Sequence, residues 1–357
     1  MIATSFHHGS SYFGNQDYII QDYEIDTLSY LSFEDALWDF LRHKITPGST
    51  LLFPDFFCVD VWENCKNHGY LVETYPVNER FEASIRFLEE RISQYSPSVV
   101  FIFHPFGIDQ TPTLEYLASY YPGYIIEDCV HCILELNKLI FLSDKHIIID
   151  SIRKLTPLPG SYIYAKKGTL DYTPQIQTVD TLRDKQLALN FWNEFQILLD
   201  TRDFSKAMLA YELLNSGDNL IGDSSLSITL NTNLELSRND LNLPLIQAVR
   251  VEQVRLYEDY LADILTDTRF VLPRPYCELD ILNLAFYPII LISDYAFLLK
   301  EYLLQNEIQT FVEFSDCPWA INKNVLCLPL GPHVQSYAIP LICRHVQNWF
   351  TDRNSLV

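Results

Sequence analysis

Three apolar runs in the first half of the chain are each followed at once by polar residues with reactive or ionisable side chains. Val99-Val-Phe-Ile-Phe103 leads into His104-Pro-Phe-Gly107. Tyr124-Ile-Ile126 leads into Glu127-Asp128-Cys-Val-His131. Ile147-Ile-Ile149 leads into Asp150-Ser151-Ile-Arg153-Lys154. Short continuous apolar runs read as strands covered on both faces of a sheet. In an open parallel sheet, ligands gather at the carboxyl ends of the strands. The pattern therefore brings acids, a histidine, a serine and a lysine to one edge, a set that can bind a polar ligand and move protons.

The elements around these runs alternate. Phe33, Leu37, Phe40 and Leu41 share one helical face, and Thr46-Pro-Gly-Ser49 ends that helix. Thr50–Phe53 reads as a buried strand stopped by Pro54, Val59–Asn67 as a helix ended by His68-Gly69, and Leu71–Tyr75 as a strand. Phe81–Gln94 reads as a helix. Thr111-Pro112 opens another through Tyr120, with Thr as cap and Pro at the first position. Tyr162–Tyr164 reads as a further strand. Strand and helix in alternation argue for a mainly parallel sheet with helices on both faces. Residues 180–218 read as mostly helical, and Pro244 begins a long helix through Ile264. A smaller α+β part follows: a strand at Leu284–Ile292, a helix from a Ser293 cap to Gln305, and a last helix over Val334–Phe350. The expected division is 1–245 and 246–357.

Bulk properties narrow the class. At 357 residues, two domains are expected. A composition 48% hydrophobic and 20% charged is that of a globular protein. The net charge of -21 argues against nucleic acid and against an anionic membrane surface. Eight cysteines are too sparse for a disulfide scaffold, no apolar run opens the chain, and Ile281–Ile292 is too short to span a bilayer. These features read as a cytoplasmic protein with reduced thiols. Cys129-Val-His-Cys132 is a lone CxxC without a second ligand pair at suitable spacing, so no metal site is expected.

Four segments, in order, carry a resemblance: Leu52-Phe-Pro-Asp-Phe-Phe-Cys58, His104-Pro-Phe-Gly107, Ile126-Glu-Asp-Cys-Val-His131 and Ser151-Ile-Arg-Lys154-Leu-Thr-Pro-Leu-Pro159. Together they resemble the DegT/DnrJ/EryC1/StrS family of fold-type I pyridoxal-phosphate (PLP) enzymes, best known as sugar aminotransferases, in a branch with Ser-x-Arg-Lys and Pro-x-Pro. Gly9–Gly14 and Leu328–Val334 are also similar. The resemblance implies a seven-stranded, mainly parallel sheet, a small C-terminal domain, a homodimer, and a small amino donor with a carbonyl acceptor as partners. It implies that Lys154 is the Schiff-base lysine, Asp128 the partner of the protonated pyridine nitrogen, and His131 a neighbour of the ring oxygen. Ser32, Phe33 and Glu34 fall where the family holds the phosphate, with Ser151 as a further hydroxyl. Cys58 falls where many relatives place an aromatic that stacks on the ring, and Phe57 is the nearest aromatic.

The resemblance departs in two places. Relatives have glycine after the first serine, where this chain has Phe33 followed by the acidic Glu34, and like charges repel. Relatives have a double glycine after the lysine motif, where this chain has Gly160-Ser161-Tyr162. The contact to a partner subunit's phosphate falls among Asn231, Asn233, Arg238 and Asn242. The functional alternatives are a PLP aminotransferase, another PLP reaction type, and a family member without cofactor that acts as a binding protein.

Overall fold

The computed structural model of the chain describes residues 2–3, 25–30, 32–155, 160–174, 241–332, 334 and 336–354; the side chains of Ile2, Ala3, Asn137, Arg153 and Asn354 lie outside this description. The helix expected over 180–218, Asn231, Asn233 and Arg238 fall outside the described residues.

Seven strands form the main sheet. Their spatial order is β2 (Ile25–Tyr30), β8 (Ser161–Lys166), β7 (His146–Asp150), β6 (Tyr124–Cys129), β5 (Val99–Phe103), β3 (Thr50–Pro54) and β4 (Leu71–Tyr75). Strands β3 to β7 pair parallel, and β8 runs antiparallel to both of its neighbours, so β2 points the same way as the other five. This is the mainly parallel α/β sheet that the sequence predicts. Both faces are buried. Val99, Phe101 and Phe103 point into the main core, while Val100 and Ile102 point into a second core with Leu88, Leu114 and Leu117. That alternation follows from the two-residue period of a strand. It places α3 (Ile85–Tyr95) and α4 (Thr111–Ala118) on one face. On the other face, α1 (Phe33–Lys44) buries Leu37, Phe40 and Leu41, each worth roughly 1.5–3 kcal/mol.

A short parallel pair joins β1 (Ile2–Ala3) to β10 (Ile308–Gln309), and a second, three-stranded antiparallel sheet has the order β11 (Phe311–Glu313), β12 (Lys323–Leu328), β9 (Tyr287–Ile292). Helices α5 (Leu243–Leu265), α6 (Tyr295–Gln305) and α7 (Ile339–Asn354) accompany it. Asn242 caps α5, its side chain accepting from Leu245 N at 3.2 Å. Among the described residues no helix is long and apolar enough to cross a membrane.

Several boundaries differ from the sequence reading. Helix α3 starts at Ile85 rather than Phe81, because the Asn78 carboxamide accepts from the N–H groups of Arg80 and Glu82 and holds Phe81 in a left-handed turn at φ 61. Thr111 lies inside α4, after Gln110; Asp109 Oδ1 accepts its N–H at 2.9 Å. Ser293 has φ 50, so the cap position of α6 passes to Asp294. The last helix starts at Ile339 and β9 at Tyr287.

The turn Pro105–Gly107 joins the two sheets. Ala285 N donates to Phe106 O at 2.7 Å, and Asp109 N donates to Asp280 Oδ1 at 3.0 Å. Gly107 has φ +86, and a Cβ there would lie 2.1 Å from the Asn283 carbonyl oxygen. Only glycine tolerates both the conformation and that approach.

Candidate active site

Strand β6 runs on through Cys129, so Glu127 and Asp128 lie within the strand and face opposite sides of the sheet. Asp128 pairs across the ladder with Phe103 and Ile149. It is 2% exposed, and its side chain accepts one hydrogen bond, from Val130 N to Oδ1 at 3.0 Å. Burial pushes its carboxyl up to about 7, against the opposing pulls of the Val130 N–H and the Lys154 charge.

Lys154 closes the single turn Ile152–Lys154 that follows β7. Its Nζ lies 5.9 Å from the centre of the Phe314 ring, and it makes no ion pair among the described residues. The turn is held from below by Asp150. Tyr162 N donates to Asp150 Oδ1 at 2.8 Å, the Tyr164 hydroxyl donates to Oδ2 at 3.2 Å, and the buried Ser161 hydroxyl donates to the Asp150 carbonyl. The serine in place of a glycine therefore ties β8 to β7.

Asp128 and Lys154 open into one cleft with an empty volume of about 370 Å³, shared with Phe33, Glu34, Cys58 and Ser151. Phe57, Val130, Phe103 and Phe314 supply apolar wall. Ser151 is 1% exposed and its Oγ has no hydrogen-bond partner. Cys58 precedes α2 (Val59–Asn67), and burial pushes its thiol up to about 12, so it lines the cleft as a neutral group. Cys58 and Phe57, the two groups that the resemblance sets beside a ring, both line the cleft.

Two sequence-derived residues stand apart from this wall. Ser32 caps α1: its hydroxyl donates to Asp35 Oδ2 at 2.8 Å and accepts from Asp35 N at 3.2 Å, so both its roles are taken. His131 is buried behind Phe103 and Phe314; Phe106 N donates to its Nδ1 at 3.1 Å, and its Nε2 lies 3.5 Å from Glu313 Oε1. Burial pushes the imidazole below its usual range, and the Lys154 charge pushes the same way.

On the opposite face, Glu127 lies 2.9 Å from His104 Nε2 and 2.8 Å from His146 Nε2. Burial opposes its charge, yet the two imidazoles outweigh burial and hold the carboxyl well below the usual range. Gln110 N donates to His104 Nδ1 and Leu142 N to His146 Nδ1, both at 3.2 Å. An imidazole that accepts at Nδ1 carries its proton on Nε2. His104, Glu127 and Cys129 have donor atoms within 4.8 Å of one another, but that proton occupies the nitrogen a metal would need.

Sequence reasoning missed Glu313 and Phe314. They come from β11 and the turn after it, where Phe314 takes φ 43. No local motif marks them, because their place depends on how the second sheet packs on the first. Glu127 was readable only as the acid beside Asp128; its histidine partners come from β5's end and from β7.

No protein-family model matches the chain, and no curated protein matches it. Solved structures do. The chain is similar to a DegT/DnrJ/EryC1/StrS aminotransferase from Brucella abortus, at 16% identity and a TM-score of 0.58, over 90% of this chain and 85% of that one. It is similar to NtdA from Bacillus subtilis, whose structure holds the cofactor PMP, at 16% identity and a TM-score of 0.57, over 90% and 73%. It is also similar to Helicobacter pylori PseC, an aminotransferase involved in the biosynthesis of pseudoaminic acid, at 12% identity and a TM-score of 0.60, over 91% and 87%. At such identities the likeness is one of fold, and function rests on the site. The chain has the fold of the DegT/DnrJ/EryC1/StrS aminotransferases, the fold-type I architecture of PLP-dependent transferases.

Proposed function

We propose that the chain is a PLP-dependent aminotransferase that passes an amino group from a small amino donor to a carbonyl acceptor, a keto-sugar being the acceptor the resemblance favours. The observation that carries this reading is that one cleft, at the carboxyl edge of a mainly parallel sheet, holds both the buried Asp128 carboxyl and the Lys154 amine, which makes no ion pair among the described residues.

PLP supplies an electron sink for the carbanion formed when a proton leaves the carbon beside the amine nitrogen. The residues of the ring side fit it. Asp128 makes no ion pair among the described residues and would hold a protonated pyridine nitrogen. Lys154 would hold the group through its amine, and the same nitrogen would be placed to carry a substrate proton. Phe57, Val130 and Cys58 offer neutral walls to a ring and keep water from it. Ser151 has a hydroxyl free to donate to an oxygen. In this reading residues 1–245 form the arm and large domain, 246–357 form the small domain, and the working species is a homodimer.

A family member without cofactor is the second reading, and one observation favours it: the Glu34 carboxylate lines the same cleft, with Oε2 buried and unpartnered. Adding PLP to the purified protein separates the two. The aminotransferase reading expects a visible absorbance band, one cofactor mass fixed on Lys154 after borohydride, and conversion to the pyridoxamine spectrum with glutamate or another donor. The absence of any band, with Lys154→Ala giving the same trace, sinks it. A band that no amino donor converts points to a different PLP reaction.

A further inference from the structure

We infer that Glu34 sets which form of the cofactor the cleft accepts, by holding a negative charge where a phosphate ester would seat; the inference rests on the reading of the cleft as a pyridoxal site.

Phe33 and Glu34, the first two residues of α1, line the cleft. Backbone N–H groups at a helix start have no intrahelical acceptor, and the dipole there is positive. Ser151, fully buried and with its Oγ unpartnered, faces the same space. These are the groups that hold a phosphate. The third group in that space is the Glu34 side chain. Its Oε2 is buried with no hydrogen-bond partner, and its charge acts on both Asp128 and Cys58. No cation pairs with it among the described residues. The Ser32 hydroxyl cannot offset it, being committed to Asp35. A carboxylate and a phosphate dianion in one poorly solvated space repel each other strongly. A ligand with the pyridine ring and the carbonyl but a neutral hydroxymethyl in place of phosphate escapes that repulsion.

The experiment titrates pyridoxal 5′-phosphate and pyridoxal into the wild type, Glu34→Gln and Glu34→Asp, reading bound ligand by absorbance and by borohydride-fixed mass. Inorganic phosphate is titrated in parallel, read by melting temperature. The expected result is that Glu34→Gln binds the phosphorylated form about tenfold tighter or more, while pyridoxal changes by less than about twofold. Glu34→Asp keeps the charge and should stay near the wild type. Equal gains for the two vitamers, or no gain for either, overturn the inference. If neither vitamer attaches to any variant, the reading of the cleft as a pyridoxal site fails, and the phosphate arm still decides the role of Glu34. Stabilisation by phosphate confined to Glu34→Gln supports it, and an equal response in all three proteins overturns it.

Discussion

Lys154 and Phe314 meet across the two sheets, the lysine Nζ standing 5.9 Å from the centre of the phenylalanine ring. An ammonium set over an aromatic face gains a modest attraction, about 0.5–1 kcal/mol where solvent reaches it. It keeps its nitrogen free for chemistry, which a carboxylate partner would tie up. The residue that closes the turn after β7 is thus roofed by a residue from the turn after β11.

Replacing Lys154 with alanine should remove the borohydride-fixed adduct altogether. Stability should move by less than ~1 kcal/mol, because the side chain is half-buried and makes no ion pair among the described residues. Mass spectrometry of the treated protein and urea unfolding check the two halves. An adduct that persists on another lysine would reassign the site.

Phe314→Ala should cost roughly 1–3 kcal/mol, less than the ~3–5 kcal/mol of a fully buried phenylalanine, since Phe314 is only partly buried. Lys154 should then react faster with a water-soluble amine reagent. Unfolding curves and timed labelling measure both. Unchanged labelling would mean the ring does not roof the lysine.

Asp128 gives a pH signature in the protein without ligand. Its folded carboxyl is pushed up to about 7 from an ordinary 3.8, so between those values the folded state binds more protons than the unfolded one. Stability therefore falls as pH rises through that window, by an amount on the order of 4 kcal/mol at most. Asp128→Asn should remove this part of the slope and gain on the wild type between pH 5 and pH 8. Bound PLP should flatten the wild-type slope as well, since a cation then faces the carboxylate. Parallel slopes for variant and wild type would contradict this.

Glu127 has the opposite sign. Its carboxyl is held below the usual range by His104 and His146, so its contribution is present above the unfolded value and fades as pH falls toward the folded one. Glu127→Gln should cost roughly 3 kcal/mol at neutral pH, and the gap to wild type should narrow in acid. The loss should be the same with and without cofactor, because Glu127 faces away from the cleft.

Much of the main sheet is legible because its strands are covered on both faces and announce themselves as unbroken apolar runs. The bounds Val59–Asn67, Leu71–Tyr75 and Val99–Phe103 come out as read. The end of β6 does not, because polar residues can continue a ladder when both neighbours supply partners, as Phe103 and Ile149 do for Asp128. Phe81 looks helical by type, yet an Asn78 side chain three residues back turns the backbone left-handed. The meeting of Asp128, Ser151 and Lys154 is legible, since each comes directly after an apolar run of one sheet, although Asp128 itself still belongs to its strand. The commitment of Ser32 to Asp35 is a local hydrogen-bond choice that residue types leave open. The arrival of Phe314 is a matter of long-range packing, for which nothing near residue 314 gives a signal.

The seam at Gly107 also bears on how the protein comes to be folded. Asp109 and Asp280 are 171 positions apart, and their bond helps close that seam. Contacts so distant along the chain are entropically slow to form. During synthesis the strand bearing Asp128 and the turn bearing Lys154 emerge long before the segment that covers them. The half-made edge then exposes apolar wall to other chains, and such exposure favours aggregation. Assembly of the cleft is accordingly a late event, and yield on refolding should depend on dilution more steeply than the size of either sheet would suggest.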